Sequence, residues 1–261
     1  MQTRRYPQFF ITKETKFSKL DIGTQIILNK EDSHHITSVL RLSIGDTIQL
    51  VDTKNQSAYL ASLENKSRSD LKVKISEKLN LQSLKSPVET LVLANLKGKN
   101  TTLVCEKAVE LGVSRIIIFN SERSVKKLSL DDKTLDRYNK ICLSAAKQSN
   151  KLFIPEVILC SSLNEAITQL FTICDNSDLF FCCSLKQEDV LLSSMKTSTA
   201  KVHLLVGAEG DFTDEEYEQI TAKGWKHISL GPYVLRSETA AIAGVAMLSA
   251  LIGYKNEMPS M

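Results

Sequence analysis

The sequence predicts an α/β protein: a small β-barrel followed by a larger domain in which buried parallel strands alternate with helices. Three observations predict it. Residues 1 to about 75 read as short runs of alternating polar and apolar residues broken by Gly, Asn, Asp and Ser. From Thr90 onward, near-continuous apolar runs alternate with helical patterns, as in strands buried on both faces of a parallel sheet. A chain of 261 residues, 43% of them hydrophobic, also suffices for two modest domains with cores of their own. The division falls into 1–75 and 76–261, with linker character near Leu81–Pro87.

The first domain has expected strands at Thr24–Leu28, Thr47–Val51, Ser57–Leu63 and Lys72–Leu79, with Gly45-Asp46 as a turn. One helix interrupts them. Asp32 or Ser33 can cap HHITSVLR, which places Ile36, Val39 and Leu40 on one face. In the second domain, strands are expected at Thr90–Ala94, Arg115–Phe119, Val157–Cys160, Leu179–Cys183, His203–Val206 and His227–Leu230. Asn100 can cap TTLVCEKAVELG, which Gly112 ends. A second helix covers Lys133–Gln148. Ser162-x-x-Glu165 and Thr213-x-x-Glu216 are capping boxes that open the next two, the latter ending at Gly224. A last helix runs from about Glu238 to Tyr254. In such a domain ligands bind at the carboxyl ends of the strands.

Composition narrows the function. The net charge of +3 is uneven: +2 over residues 1–70, +7 over 71–160 and −6 over 161–261. A basic middle segment suits nucleic acid, although solvated lysines give the same count. The longest apolar run, Ala240–Ile252, falls short of the ~20 residues that span a bilayer. MQTRRYPQFF lacks a signal-peptide core, so a cytoplasmic protein is expected. Six cysteines without a CxxC pair are expected as reduced, buried small hydrophobes. His34, His35, His203 and His227 have no metal-ligand spacing, and no metal is expected.

The usual phosphate cradles are missing. Lys97-Gly98-Lys99 lacks the earlier glycine of a P-loop, and no G-x-G-x-x-G follows the first strand of the second domain. Nucleotide hydrolysis and ordinary dinucleotide binding both lose support. Gly207-Ala208-Glu209-Gly210-Asp211-Phe212 lies between a buried strand and a capped helix. Its glycines let backbone approach a ligand, and an ordinary tight turn accounts for them as well. Leu230-Gly231-Pro232 ends the next strand and leads to Tyr233-Val234-Leu235-Arg236. Two glycine-bearing strand ends in succession favour a pocket lined by backbone. Ser237 can cap the final helix, with Glu238 favourable in its first turn. Arg236 opposes the helix dipole there and calls for an anionic partner.

LLVGAEGDFTDEE, followed by LGPYVLRSETAA, resembles the SPOUT class of S-adenosylmethionine-dependent RNA methyltransferases. The closer likeness is to the small-subunit ribosomal RNA uridine-N3 methyltransferase family (RsmE-like). HHITSVLRLSIGD (His34–Asp46), CEKAVELGVSRIIIFNSERSV (Cys105–Val125) and SAAKQSNKLFIPEV (Ser144–Val157) match it in order, so the likeness spans nearly the whole chain. It implies a PUA-like β-barrel, then a knotted SPOUT-type methyltransferase domain, a homodimer, and methylation of N3 of a uridine in 16S (small-subunit) rRNA or the small subunit itself. Knots are rare, and spacing alone does not reveal one.

The resemblance implies that S-adenosyl-L-methionine is held by Leu205, Gly207, Glu209, Gly210, Leu230, Gly231, Val234, Leu235, Arg236, Thr239 and Ala240. Arg236 is the candidate for stabilising charge at the reacting base. Glu209 is the candidate for orienting or base work, or for holding its loop through backbone N–H groups. Methyl transfer from a sulfonium needs alignment and a deprotonated nucleophile, which fits a site poor in reactive side chains. RNA contacts are expected from Arg4, Arg5, Arg41, Lys107, Arg123, Lys126, Lys127 and Lys151.

The chain departs from the family pattern in places. The common Pro-Glu-Gly-Gly is Ala208-Glu209-Gly210-Asp211, the usual acidic-glutamine pair is Lys147-Gln148, and an arginine position holds Lys151. Two other readings stand: a methyltransferase acting on another rRNA or tRNA base, and a non-catalytic RNA-binding assembly factor, which the altered 208–211 loop motivates.

Overall fold

The computed structural model describes residues 6–12, 15–17, 19–80, 88–184, 190–191 and 201–252. The segment Leu81–Pro87 and the expected helix end at Tyr254 lie outside them. The chain forms two compact units: Met1–Ser83 with Ala146–Phe153, and Leu84–Ala145 with Ile154–Met261. Residue 75 lies within the last strand of the first unit, which runs to Leu79.

The first unit is a five-stranded sheet of β1 (Gln8–Phe10), β2 (Gln25–Ile27), β3 (Thr47–Asp52), β4 (Ser57–Leu63) and β5 (Lys72–Leu79). Its spatial order is β1-β3-β4-β5-β2. β1 runs parallel to β3, and the other pairs are antiparallel. Alternation sends Ile48, Leu50, Ala61, Val73 and Ile75 into one core with Phe9 and Ile26. β1 escapes a periodicity reading because all three of its residues are buried.

The interrupting helix differs from the expectation. Its cap is Asn29, whose side chain accepts the Asp32 N–H, so α1 (Lys30–His34) starts before Asp32 and Ser33. Asp32 is instead a buried acceptor, with Oδ1 3.1 Å from Lys147 Nζ. Lys147 also lies over the Phe9 ring, 5.7 Å from its centroid, and so serves the fold of this unit. The helix passes into a π-helical turn, His35–Val39, where Leu40 N–H donates to His35 C=O. That wider turn breaks the three-and-four spacing. Ile36 is buried, while Val39 and Leu40 face solvent rather than sharing its face.

The second unit holds β6 (Val88–Ala94), β7 (Arg115–Phe119), β8 (Glu156–Cys160), β9 (Leu179–Cys183), β10 (Val190–Leu191), β11 (Val202–Val206) and β12 (Lys226–Ser229). They form one parallel sheet ordered β10-β12-β9-β11-β6-β7-β8. The chain grows outward from β6 through β7 to β8. It then returns past β6 to lay down β9, and β11 fills the gap between them. This reversal of direction is a topological switch point, where ligands bind.

The helices are α2 (Asn100–Glu110), α3 (Asp132–Gln148), α4 (Leu163–Phe171), α5 (Asp214–Ala222) and α6 (Ser237–Ile252). Asn100 lies inside α2 rather than capping it; Lys99 precedes the helix and makes no side-chain cap. At α5 the full capping box forms between Thr213 and Glu216. At α4 only half forms: Ser162 accepts the Glu165 N–H, while the Glu165 carboxylate goes to Ser161. α6 packs on α2, β6, β9 and β11. A Cβ on its Gly244 would come within 2.9 Å of Leu204 Cδ2, so glycine is what lets the helix lie this close to β11.

Candidate functional site

The carboxyl ends of β6, β9, β11 and β12 open into one cavity of about 540 Å³. Each end contributes for a local reason. After β11, Asp211 N–H donates to Ala208 C=O, closing a tight turn. Asp211 takes the left-handed conformation, φ +58, at the position where the resemblance places a second glycine. Its carboxylate accepts the Tyr217 hydroxyl at 2.8 Å, which holds the strained residue in place. Phe212 covers Gly207 so closely that a Cβ there would meet its ring at 3.0 Å. After β12, Gly231 adopts φ +152, and Pro232, Tyr233 and Val234 follow as an exposed loop.

The loop after β11 is tied to its neighbours. Glu209 Oε1 accepts the Lys97 N–H at 2.8 Å, joining it to the loop after β6. Arg123 donates to Gly210 C=O at 3.0 Å. The buried Glu216 carboxylate accepts from Thr213 N–H and also from Glu122 N–H, so the capping box anchors the 121–124 turn as well.

At the start of α6, Ser237 is already helical and Arg236 C=O accepts the Ala240 N–H. Arg236 therefore holds the cap position that Ser237 was expected to hold. Arg236 lines the cavity, is exposed, and forms no ion pair among the described residues.

Gly207, Glu209, Leu230, Gly231, Val234, Leu235, Arg236 and Ala240 all line the cavity. Leu205, Gly210 and Thr239 lie outside its wall. Leu205 points into the core, Gly210 packs on Arg123, and Thr239 is exposed on α6. Sequence reasoning missed Lys97 and Asn100 beyond β6, Cys183 and Ser184 at the end of β9, and Tyr233 and Glu238. The rule that picked the ends of β11 and β12 would have found the first four had it been applied to β6 and β9.

Residues 84–249 match the family model described as RNA methyltransferase domain, and 28–76 match the RNA methyltransferase PUA domain. The chain belongs to the RNA methyltransferase family. It is 29% identical to the ribosomal RNA small subunit methyltransferase E of Rickettsia conorii, over 93% of this chain and 99% of that one. Against the protein of that name from Buchnera aphidicola it is 24% identical, over 97% and 96%. Among solved structures, a Legionella pneumophila methyltransferase in complex with the cofactor SAM superposes with a TM-score of 0.81 at 26% identity, covering 94% of this chain and 98% of that one.

The cations expected to meet RNA fall in both units of this methyltransferase. Arg4 and Arg5 lie outside the described residues. Arg41 and Lys151 belong to the first unit, where Lys151 C=O accepts from Gln8 Nε2 at 2.6 Å. In the second, Lys107 is paired with Glu106 and Glu110, and Lys127 Nζ donates inward to Ser121 C=O at 2.7 Å. Arg123 holds Gly210, and Lys126 is exposed.

Histidine spacing gave no metal signal, yet folding gathers Cys174, Asp178 and His203 at the amino ends of β9 and β11. His203 Nε2 lies 3.1 Å from Asp178 Oδ2 and 3.4 Å from Cys174 Sγ. Burial pushes the His203 pKa down, partly countered by Asp178. Burial pushes Asp178 up, but the Asp175 N–H and His203 together leave it below the ordinary carboxylate value. Burial raises the Cys174 thiol to about 11. Cys105, Cys142, Cys160 and Cys182 are buried and in no disulfide, while Cys183 is half-buried at the cavity wall. Among the described residues no helix is long and apolar enough to cross a membrane.

Proposed function

We propose that this chain transfers a methyl group from S-adenosylmethionine to N3 of a uridine in small-subunit rRNA. The observation that carries the reading is the cavity at the switch point, walled by residues 207–209, 211 and 229–231 and rimmed by an arginine that forms no ion pair among the described residues. Its volume of about 540 Å³ suits a nucleoside joined to an amino acid. Gly207, Leu230, Gly231, Val234, Leu235 and Ala240 supply backbone and apolar surface to the nucleoside. Lys97 and Glu238 supply charges of both signs for an amino-acid zwitterion. Bound S-adenosylmethionine provides an electrophilic methyl on sulfur.

The chain's own contribution is alignment and electrostatics. The walls hold the two reactants in register, which lowers the barrier by roughly 7–11 kcal/mol in favourable cases. Arg236, which forms no ion pair among the described residues, stabilises the anion left when N3 loses its proton to solvent. One Glu209 oxygen is occupied by the Lys97 N–H, which favours loop-holding over base work for that residue. The same reading, through the family likeness, includes a trefoil knot around the cofactor, a homodimer and a cytoplasmic enzyme that needs no metal.

The decisive experiment maps methylated nucleotides in rRNA from cells lacking this protein, with and without the purified chain and S-adenosylmethionine. Restored methylation at a single uridine N3 supports the proposal. Restoration at another base changes the target, and no calorimetric binding of S-adenosylmethionine would favour the assembly-factor reading.

A further inference from the structure

Arg123, on the loop after β7, lines no part of the cavity, yet it is hydrogen-bonded to the turn that does. We propose that Arg123 is a positioning residue for the cofactor: it sets the turn that S-adenosylmethionine packs against and takes no phosphate of the RNA. The inference deepens the proposed function and rests on it for the identity of the ligand.

Arg123 meets the turn at its strained point. Among residues 207–211, Gly210 alone lies outside the cavity wall. The peptide joining it to Asp211 is held at both ends. Asp211 N–H donates to Ala208 C=O, and Arg123 Nη1 donates to Gly210 C=O at 3.0 Å. Asp211 follows at φ +58, a narrow well for a residue with a side chain. Rotation of that peptide plane would empty the well and move Ala208, Glu209 and Asp211, which do line the cavity. The two backbones also come close: a Cβ on Gly210 would meet Arg123 Cβ at 3.0 Å and Arg123 C=O at 3.5 Å. The arginine stem therefore packs on the turn while its head fixes the carbonyl.

The loop that carries Arg123 is built as a brace. Ser121 and Ser124 close a turn on each other, Ser124 N–H to Ser121 C=O and Ser121 N–H to the Ser124 hydroxyl. That hydroxyl donates on to Asn95 C=O, and Asn95 Nδ2 donates to Lys126 C=O at 2.7 Å. Asn120 bonds Leu128 in both directions. Glu122 N–H goes to the Glu216 carboxylate, so the residue before Arg123 is tied to the helix that follows the turn. A side chain carried on a support of this kind imposes geometry rather than following a ligand. The surroundings are also unsuited to a phosphate. Glu215 is held below the ordinary carboxylate value by its own N–H and the Thr213 hydroxyl, with the Arg123 charge adding to them. A phosphodiester brought to Arg123 would meet the field of that carboxylate. Sequence reasoning set Arg123 among the RNA-facing cations because a loop's charges are visible locally, whereas its bond to Gly210 spans 87 positions.

The test compares wild type with Arg123→Met, which keeps the stem and removes the donor, and with Arg123→Lys, which returns an N–H to a contact that uses one. Calorimetry reads S-adenosylmethionine affinity. Kinetics on an in-vitro-transcribed small-subunit rRNA fragment read KM for S-adenosylmethionine and kcat, and a salt titration reads RNA binding. Arg123→Met should weaken S-adenosylmethionine about tenfold, as loss of one hydrogen bond from a charged donor implies. Its KM should rise in step, while kcat at saturating cofactor and the salt slope of RNA binding stay as in wild type. Arg123→Lys should recover most of the affinity. A fall in thermal midpoint with S-adenosylmethionine affinity and KM unmoved would mean a structural role alone and overturns the inference. So does a salt slope smaller by about one in Arg123→Met, the mark of one lost phosphate contact. If wild type binds no S-adenosylmethionine, the proposed function and this inference fall together. If wild type binds it and Arg123→Met binds it equally well, only this inference falls.

Discussion

Two glycine-bearing loops face each other across the cavity, and they are built on opposite terms. In the loop after β11, nearly every residue is committed to the fold. Phe212 seals Gly207, Glu209 holds Lys97, Arg123 holds Gly210, and Tyr217 holds Asp211. The loop after β12 is left open. Tyr233 and Val234 are 81% and 78% exposed, and Arg236 forms no ion pair among the described residues. Residues that stabilise one wall are thus separated in sequence from residues free to meet ligands at the other. Damage to the first loop should register as lost stability or lost cofactor shape, and damage to the second as lost activity in a folded protein.

The sharpest way to break this contrast is Arg236→Ala. Loss of a preorganised charge at the reacting centre costs on the order of 10²–10³ in kcat. The thermal midpoint should stay put, and a matching fall in both would erase the distinction. Next comes Gly207→Val, which drives a side chain into Phe212. We expect about 1–3 kcal/mol of destabilisation in urea denaturation together with loss of S-adenosylmethionine binding by calorimetry. Asp211→Leu should cost about 1–3 kcal/mol through left-handed strain and the lost Tyr217 bond, whereas Asp211→Gly should be tolerated. Equal cost for both would show that backbone conformation is not what position 211 demands. On the open loop, Tyr233→Ser should move stability by no more than about 0.5 kcal/mol.

The far end of β11 offers a control on the sheet beneath both loops. Burial holds the folded His203 pKa below its ordinary 6.5. The unfolded chain therefore takes up the proton first as pH falls, and stability should decline from about pH 6.5 downward. Asp178, also lowered, adds a loss only at more acidic pH. Urea midpoints measured from pH 7.5 to 4.5 should show the first decline, and His203→Gln should flatten it.

Legibility followed the range of the forces involved. β4, β5, β7 and β9 were readable to the residue because a period of two, or an unbroken apolar run, is a property of neighbours in sequence. The Thr213 capping box was readable for the same reason. The helix at residues 30–39 was misplaced because Asn29 and a π turn decide it, and a π turn has no sequence period to find. β1 went unseen because three residues, all buried, carry no pattern. In the candidate site, Gly207, Gly231 and Arg236 stood out by their places at strand and helix ends. Lys97, Asn100, Cys183 and Ser184 did not, because their only qualification is which strands lie beside β11.

By itself the sequence determined the α/β plan, the cavity's two glycine turns and the odd arginine at the head of α6, since local spacing and chemistry suffice for each. Only the tertiary structure decided that Glu209 holds a loop and that Lys147 serves Asp32. Those outcomes depend on hydrogen bonds and charges brought together across 112 and 115 positions of chain, distances over which no period or motif carries information.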